Sequence, residues 1–161
     1  MYDALVAFTD SLPVWAQWLG VMLVSAIPFV ESYFGTLIGV LAGVPTVVAV
    51  LAAIVGNVVS MLAFVFVGAG ARRNVLAGRA AGEGEPELSP RKQRFKKMFD
   101  RFGVPGVSLL GQTLLPSQIT SGLMVSFGAS RNQVIFWQIV SIILWGVAFA
   151  ILGNLGLVAL R

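Results

Sequence analysis

Apolar runs of two lengths alternate along this chain, and the lengths predict the elements. Val14 to Pro28 (VWAQWLGVMLVSAIP) is nearly continuous in apolar character. It covers only about 15 residues, or roughly 22 Å as a helix, short of the ~30 Å hydrocarbon core of a bilayer. Phe29 to Val44 is equally short and is punctuated by Gly35, Gly39 and Gly43. Val44-Pro45 restarts the chain, and Thr46 to Gly70 is then long enough to span before it meets Arg72-Arg73. The pattern predicts a re-entrant helical hairpin over 14–44 with its tip near Pro28 to Gly35. Two short, tilted transmembrane helices fit the same pattern. Trp15 and Trp18 suit a membrane interface.

The second half repeats the sequence of events. Ala77 to Pro90 is polar and Gly/Pro-bearing, which predicts a loop. Ser89-Pro90 then opens a helix, with serine at the cap and proline in the first turn. Phe95, Met98, Phe99 and Phe102 follow at i, i+3, i+4 and i+7, set among Arg91, Lys92, Arg94, Lys96, Lys97 and Arg101. That spacing predicts an interfacial amphipathic helix on an anionic leaflet. A solvated helix packed on a partner is the alternative. Gly103 to Ser130 is again apolar and short-pieced, broken by Pro105, Gly106, Gly111, Pro116, Gly122 and Gly128. Arg131 to Leu160 is a full span with Trp137 and Trp145, and Gly146, Gly153 and Gly156 allow close helix packing.

An internal repeat follows. Glu31…Gly35 and Gln118…Gly122 share one spacing at an offset of 87 positions, and each lies within three residues of a proline. The expected fold is an all-α integral membrane protein of two inverted units, each a re-entrant helical hairpin plus a long transmembrane helix, an arrangement common in transporters. The expected divisions are 1–71 for the first unit, 72–102 for a cytoplasmic basic loop with the amphipathic helix, and 103–161 for the second unit.

Composition and charge sharpen this. Of 161 residues 57% are apolar and 11% charged, against about 25% charged in soluble domains, and the mean hydropathy is +0.88. Nine of the eleven Lys/Arg lie between Arg72 and Arg101 with four acidic residues, a local net charge of +5. The positive-inside rule places that stretch in the cytoplasm. Nucleic-acid binding is disfavoured, because the basic patch lies between membrane segments. Met1 to Asp10 is acidic and lacks the basic region of a cleavable signal. Without cysteine or histidine, disulfides, the usual zinc sites and His-dependent triads are excluded. No GxxxxGK[ST] loop is present, which disfavours ATP-driven transport by this chain alone. No cofactor and no enzymatic activity are expected, since one membrane carboxylate is too little for the usual acid–base pairs.

Glu31 is the candidate that matters most. From Ser11 to Ala71 it is the only charged side chain, and a carboxylate in such a setting marks a functional site by default. Burial disfavours its charged form and makes it a candidate proton carrier. Ser32 and Thr36 accompany it. Gln112, Thr113, Ser117, Gln118, Thr120 and Ser121 come from the second hairpin, and the two tips together are expected to line a substrate or proton site. Broken half-helices also expose N–H groups that attract anions. The structural alternative is that the glutamines, serines and threonines bridge helices, and that Glu31 holds a hairpin tip together. Asn57 reads as helix glue. Arg131 reads as an interface residue whose side chain snorkels, with a site role as the alternative.

The runs Pro28-Phe-Val-Glu31, Ala42-Gly-Val-Pro45, Gly56-Asn57 and Arg101-Phe-Gly103, with Pro116, Gly122 and Trp145, resemble the putative small multidrug export family within the DedA-like (VTT, SNARE-associated) membrane proteins. The resemblance covers most of residues 20–150. It implies paired re-entrant hairpins and transport or transbilayer movement of lipids, with a polyprenyl phosphate as the bacterial substrate. Glu31 falls where that superfamily has an acidic residue in its first hairpin. Gln112 and Gln118 take the spacing, around Pro116, of two arginines in its second, so the charges are absent here.

The expected function is a small transporter or lipid flippase of the bacterial inner membrane. Its partners are the bilayer and its anionic lipids. So few spans enclose little, which points to a homodimer or a partner membrane protein. The alternative function is a non-transporting subunit that scaffolds or regulates a cell-envelope enzyme, with Phe95, Phe99 and Phe102 as its contact residues.

Overall fold

The computed structural model describes residues 1–80, 87–111 and 115–159, and among them the chain is all-helical, with no strand. Seven helices follow in order: α1 (Tyr2–Asp10), α2 (Gln17–Ser25), α3 (Glu31–Leu41), α4 (Thr46–Ala80), α5 (Pro90–Leu110), α6 (Ser117–Ser126) and α7 (Arg131–Ala159). A single 3₁₀ turn, Val14–Ala16, leads into α2. Two stretches, Thr46–Gly78 in α4 and Arg131–Gly156 in α7, are long and apolar enough to cross a membrane.

The chain packs as two compact units. The first comprises Met1–Ser60 and Ile139–Arg161; the second comprises Met61–Gln138. Packing thus divides both long helices, whereas the sequence boundaries at 71/72 and 102/103 follow charge.

In the first unit α2 and α3 form an antiparallel pair. Its register is set by two glycines of α3. Gly35 lies against Ser25, and a Cβ on Gly39 would come within 2.8 Å of Val21. A side chain at either position would force the helices apart, so the small residues let the backbones close up. Gly56 of α4 lies against the Met22 carbonyl of α2. Around these contacts Val21, Val40, Val44, Ala49, Ala52 and Ala53 form one core cluster. Val24, Val30 and Ile38 form another, covered by Leu5 and Val6 of α1. Helix α1 has no counterpart in the sequence pattern. Its nine residues are too few for a strong periodic signal, and its order comes from packing on the α2–α3 pair.

In the second unit helix α5 is interrupted at Gly103 (φ 64°, ψ −173°), which separates the basic segment from an arm over 104–110. Helices α5 and α6 pack together. Gly68 of α4 lies against the Gly122 carbonyl of α6.

The two units share an ending. Gly43 (φ 82°) follows α3 and Gly128 (φ 104°) follows α6. Val44 N–H reaches the Gly39 carbonyl at 2.9 Å, and Ala129 N–H reaches the Met124 carbonyl at 3.0 Å. Each is the six-to-one bond of a Schellman cap, which places its glycine in the left-handed region. The long helices start three residues after these glycines, at Thr46 and Arg131. These caps stand 85 positions apart, not the 87 that separates Glu31…Gly35 from Gln118…Gly122.

One boundary differs. The loop expected over Ala77 to Pro90 does not start at Ala77, because α4 continues to Ala80; alanine, leucine and arginine sustain a helix well, and positions 81–86 of that loop lie outside the described residues.

A pair of substitutions in α4 tests the close approach. Gly56→Ala meets the Met22 carbonyl and should destabilise the detergent-solubilised protein by about 1–3 kcal/mol. Gly70→Ala has open space around it and should stabilise by about 0.5–1 kcal/mol. Thermal melts of the two variants should move in opposite directions.

Candidate functional site

The break between α2 and α3 is a tight turn over 26–30, and its backbone is strained. Phe29 (φ 73°) and Glu31 (φ 54°) both adopt the left-handed region without being glycine, at about 1–2 kcal/mol each. Such outliers persist only where surrounding structure enforces them, and they concentrate at functional sites. The turn delivers Glu31 to the first position of α3, fully buried. The N-terminal end of a helix carries partial positive charge, so the carboxyl group sits where that charge favours it.

Neighbouring polar groups of the same unit are also buried. Ser32 Oγ donates to the Ile142 carbonyl of α7 at 2.8 Å. Ser60 Oγ of α4 donates to the Ala26 carbonyl at the end of α2 at 2.8 Å, which satisfies one of the carbonyls a helix leaves open at its end. The turn is thus tied to both long helices. Asn57 of α4, Thr36 of α3 and Ser141 of α7 show no exposure. The hydroxyls of Thr36 and Ser141 find no hydrogen-bond partner among the described residues, which is costly for a buried polar group and marks this as a polar interior rather than an apolar core. Tyr33 and Phe34 pack beside it on Phe149, at ring-centroid distances of 5.3 and 5.6 Å.

The second unit has its own buried polar cluster. Ser117, Gln118, Thr120 and Ser121 all lie in the first turn and a half of α6, and all are fully buried. Gln118 occupies the second position of its helix, as Glu31 occupies the first of α3. Gln138 Nε2 of α7 donates to Thr120 Oγ1 at 3.0 Å. Thr120 Oγ1 in turn donates to the Ser117 carbonyl at 3.1 Å, and Ser121 Oγ donates to the Gln118 carbonyl at 2.9 Å. The Gln138–Thr120 bond holds α6 to α7, while the other two lie within α6; Thr120 and Ser121 are thus partly structural. Gln112 and Thr113 lie outside the described residues.

The expected cluster is accordingly two sets of residues, one in each compact unit: Glu31, Ser32 and Thr36 in the first, and Ser117, Gln118, Thr120 and Ser121 in the second. Gln138 and Ser141 do not stand out in the sequence. An amide or hydroxyl inside the apolar run of α7 is the available signal, and the length of that run masks it.

In the amphipathic segment the basic side chains and the aromatics differ in exposure. Arg91, Lys92, Arg94, Lys96, Lys97 and Arg101 are exposed. Lys96 Nζ pairs with Asp100 Oδ2 at 2.7 Å, one helical turn on. Phe95, however, is only 4% exposed and packs on Phe127 at the end of α6 at 6.1 Å between ring centroids. It anchors the segment to its own unit. Phe99 is half-buried. The outward aromatic is Phe102, 49% exposed, with the Arg101 guanidinium 5.2 Å from its ring centre. Among the described residues no group of three or more acidic side chains could hold a metal ion.

No protein-family model, no curated protein and no solved structure matches this chain.

The Gln138–Thr120 bond makes a direct prediction. Gln138→Leu should destabilise by about 1 kcal/mol, the scale of interhelical hydrogen bonds in membrane proteins. In a Thr120→Val background the same change should cost measurably less. A double-mutant cycle read by thermal unfolding checks this, and strict additivity would show that the bond contributes nothing.

Proposed function

We propose that this chain is a small multi-pass transporter or lipid flippase of the bacterial inner membrane, with Glu31 as its protonatable group. The observation that carries the reading is a fully buried carboxyl at a strained helix break, in a chain with two helices long and apolar enough to cross a membrane. Irregular backbone at membrane depth is tolerated only inside protein or beside a water-lined path, and transporters build their sites from such broken helices.

Re-entrance of the hairpins is part of the proposal. Helices α2 and α3 have nine and eleven residues, or about 14 and 17 Å. Both fall well short of the ~30 Å core. Leu23, Ile27 and Phe29, near the turn, expose apolar side chains, which suits a tip immersed in lipid. On this reading Glu31 takes up and releases a proton as the substrate moves, and the buried polar groups beside it form the lining. Two long helices enclose little volume, which favours a homodimer. An amphiphile with a long apolar tail is the favoured substrate class, and a polyprenyl phosphate is the form suggested by the family resemblance.

The alternative reading, a non-transporting subunit of an envelope enzyme, draws on the amphipathic segment. Its support is weaker, since Phe95 already packs on Phe127.

Reconstituted vesicles provide the test, with a labelled polyprenyl phosphate as the probe. Wild type should move it across the bilayer, and Glu31→Gln should fall to the rate of empty vesicles while keeping the wild-type melting temperature. Equal rates for the two proteins would remove Glu31 from the mechanism.

A further inference from the structure

A second site, remote in sequence from Glu31, lies within the second unit. There the last apolar turns of α4 meet the start of α7. An open cleft of about 340 Å³ is lined by Arg72 and Arg73 from α4 and by Arg131 from α7. Ala69 and Leu76, also lining it, stand at i and i+7 relative to each other, with the two arginines at i+3 and i+4. One face of α4 is therefore turned into the cleft. The floor comes from the cap of α6. The Arg72 guanidinium lies over Gly128, where a Cβ would meet its carbon and both terminal nitrogens at 3.0 Å. Glycine is thus needed twice at this position, for its left-handed backbone (φ 104°) and for the space the guanidinium occupies.

The charge of this cleft is uncompensated by its own walls. Among the described residues no acidic side chain lines it, and the one ion pair seen among them is Lys96–Asp100. Arg72 is half-buried against the cap, while Arg73 and Arg131 are exposed. Three guanidinium groups gathered around one concavity repel one another unless an anion joins them. Arginine forks match phosphate oxygens two at a time. Arg131 also opens a 29-residue helix, whose first N–H groups point towards an incoming anion. The apolar walls supplied by Ala69, Leu76 and Val125 give the cleft a greasy side next to its charged one.

We infer that this cleft binds a phosphate-type anion, with Arg72, Arg73 and Arg131 as its ligands. The chemistry is shared by a free phosphate and by the phosphate headgroup of a lipid. The mixed walls suit either, and the experiment separates them. This inference is independent of transport through the Glu31 region: it stands if the chain moves nothing, and it fails without affecting the role of Glu31.

The test uses the full chain purified in a neutral maltoside detergent. Two probes are titrated by calorimetry: sodium phosphate, and dioleoyl phosphatidic acid in mixed micelles. Wild type should bind phosphatidic acid saturably. Arg72→Gln/Arg73→Gln/Arg131→Gln should weaken that binding by at least about tenfold, the scale of losing charge-assisted bonds. A control with the same charge removed from the amphipathic segment, Arg91→Gln/Arg94→Gln/Lys97→Gln, measures that segment's diffuse attraction to anionic lipid and should weaken binding clearly less than the cleft variant does. Arg131→Gln alone, at an exposed helix start, should give a smaller loss in the same direction and serves if the triple variant does not fold. Competition by sodium phosphate would identify a site for the free anion. Binding of phosphatidic acid that sodium phosphate does not displace would identify a headgroup site. Two outcomes would overturn the inference: no saturable binding of either probe by wild type, or equal weakening in the cleft and control variants, which would mean diffuse attraction by net charge alone.

Discussion

Burial of Glu31 is the constraint around which the first unit is organised. A carboxylate removed from water loses several kcal/mol of solvation, so the chain has to bring polar groups to it or keep it neutral. A continuous apolar helix can do neither. The turn at 26–30 interrupts the helix at Glu31, and the start of α3 supplies the positive end of a helix dipole. Ser32 and Ser60 bind the turn to α7 and α4 through backbone carbonyls. Gly56 lets α4 close on α2, the two helices the Ser60 bond joins, and a Cβ on Gly146 of α7 would lie 3.5 Å from Ser32. Removing the glycines would open the hydrogen bonds along with the packing.

The second unit solves a related problem without a charge. The buried start of its α6 carries Gln118, one position later than Glu31 in α3, and neutral amides and hydroxyls satisfy one another through Thr120 and Gln138. The common plan is a short second arm, a left-handed glycine at its end, and a long helix three residues later. The difference is one titratable group.

How much of this the sequence discloses depends on the range of the interactions. Local signals hold. Pro28 and Gly35 bracket the break, and Ser89-Pro90 opens α5 as expected. The two long helices are plain from apolar length. Features made by residues distant in sequence are hidden. Phe95 sits on the apolar stripe whether it faces lipid or Phe127, and only the fold decides. Gln138 is a single amide in a long apolar run, informative only once Thr120 stands opposite. Arg72, Arg73 and Arg131 read as ordinary interface charges, because their convergence depends on the α6 cap lying between α4 and α7. Helix α1 has too few residues to show a pattern. Its order is tertiary in origin.

The account depends most on a hairpin that enters the membrane and returns without crossing. The natural absence of cysteine makes the test clean: single cysteines at Val14, Leu41 and Ile27, all exposed, are probed in oriented vesicles with a membrane-impermeant maleimide from each side. Re-entrance predicts that Val14→Cys and Leu41→Cys react from one side only, and that Ile27→Cys is shielded from both. Reaction of Ile27→Cys from the side opposite the other two would mean that α2 and α3 cross the bilayer, and would contradict the account.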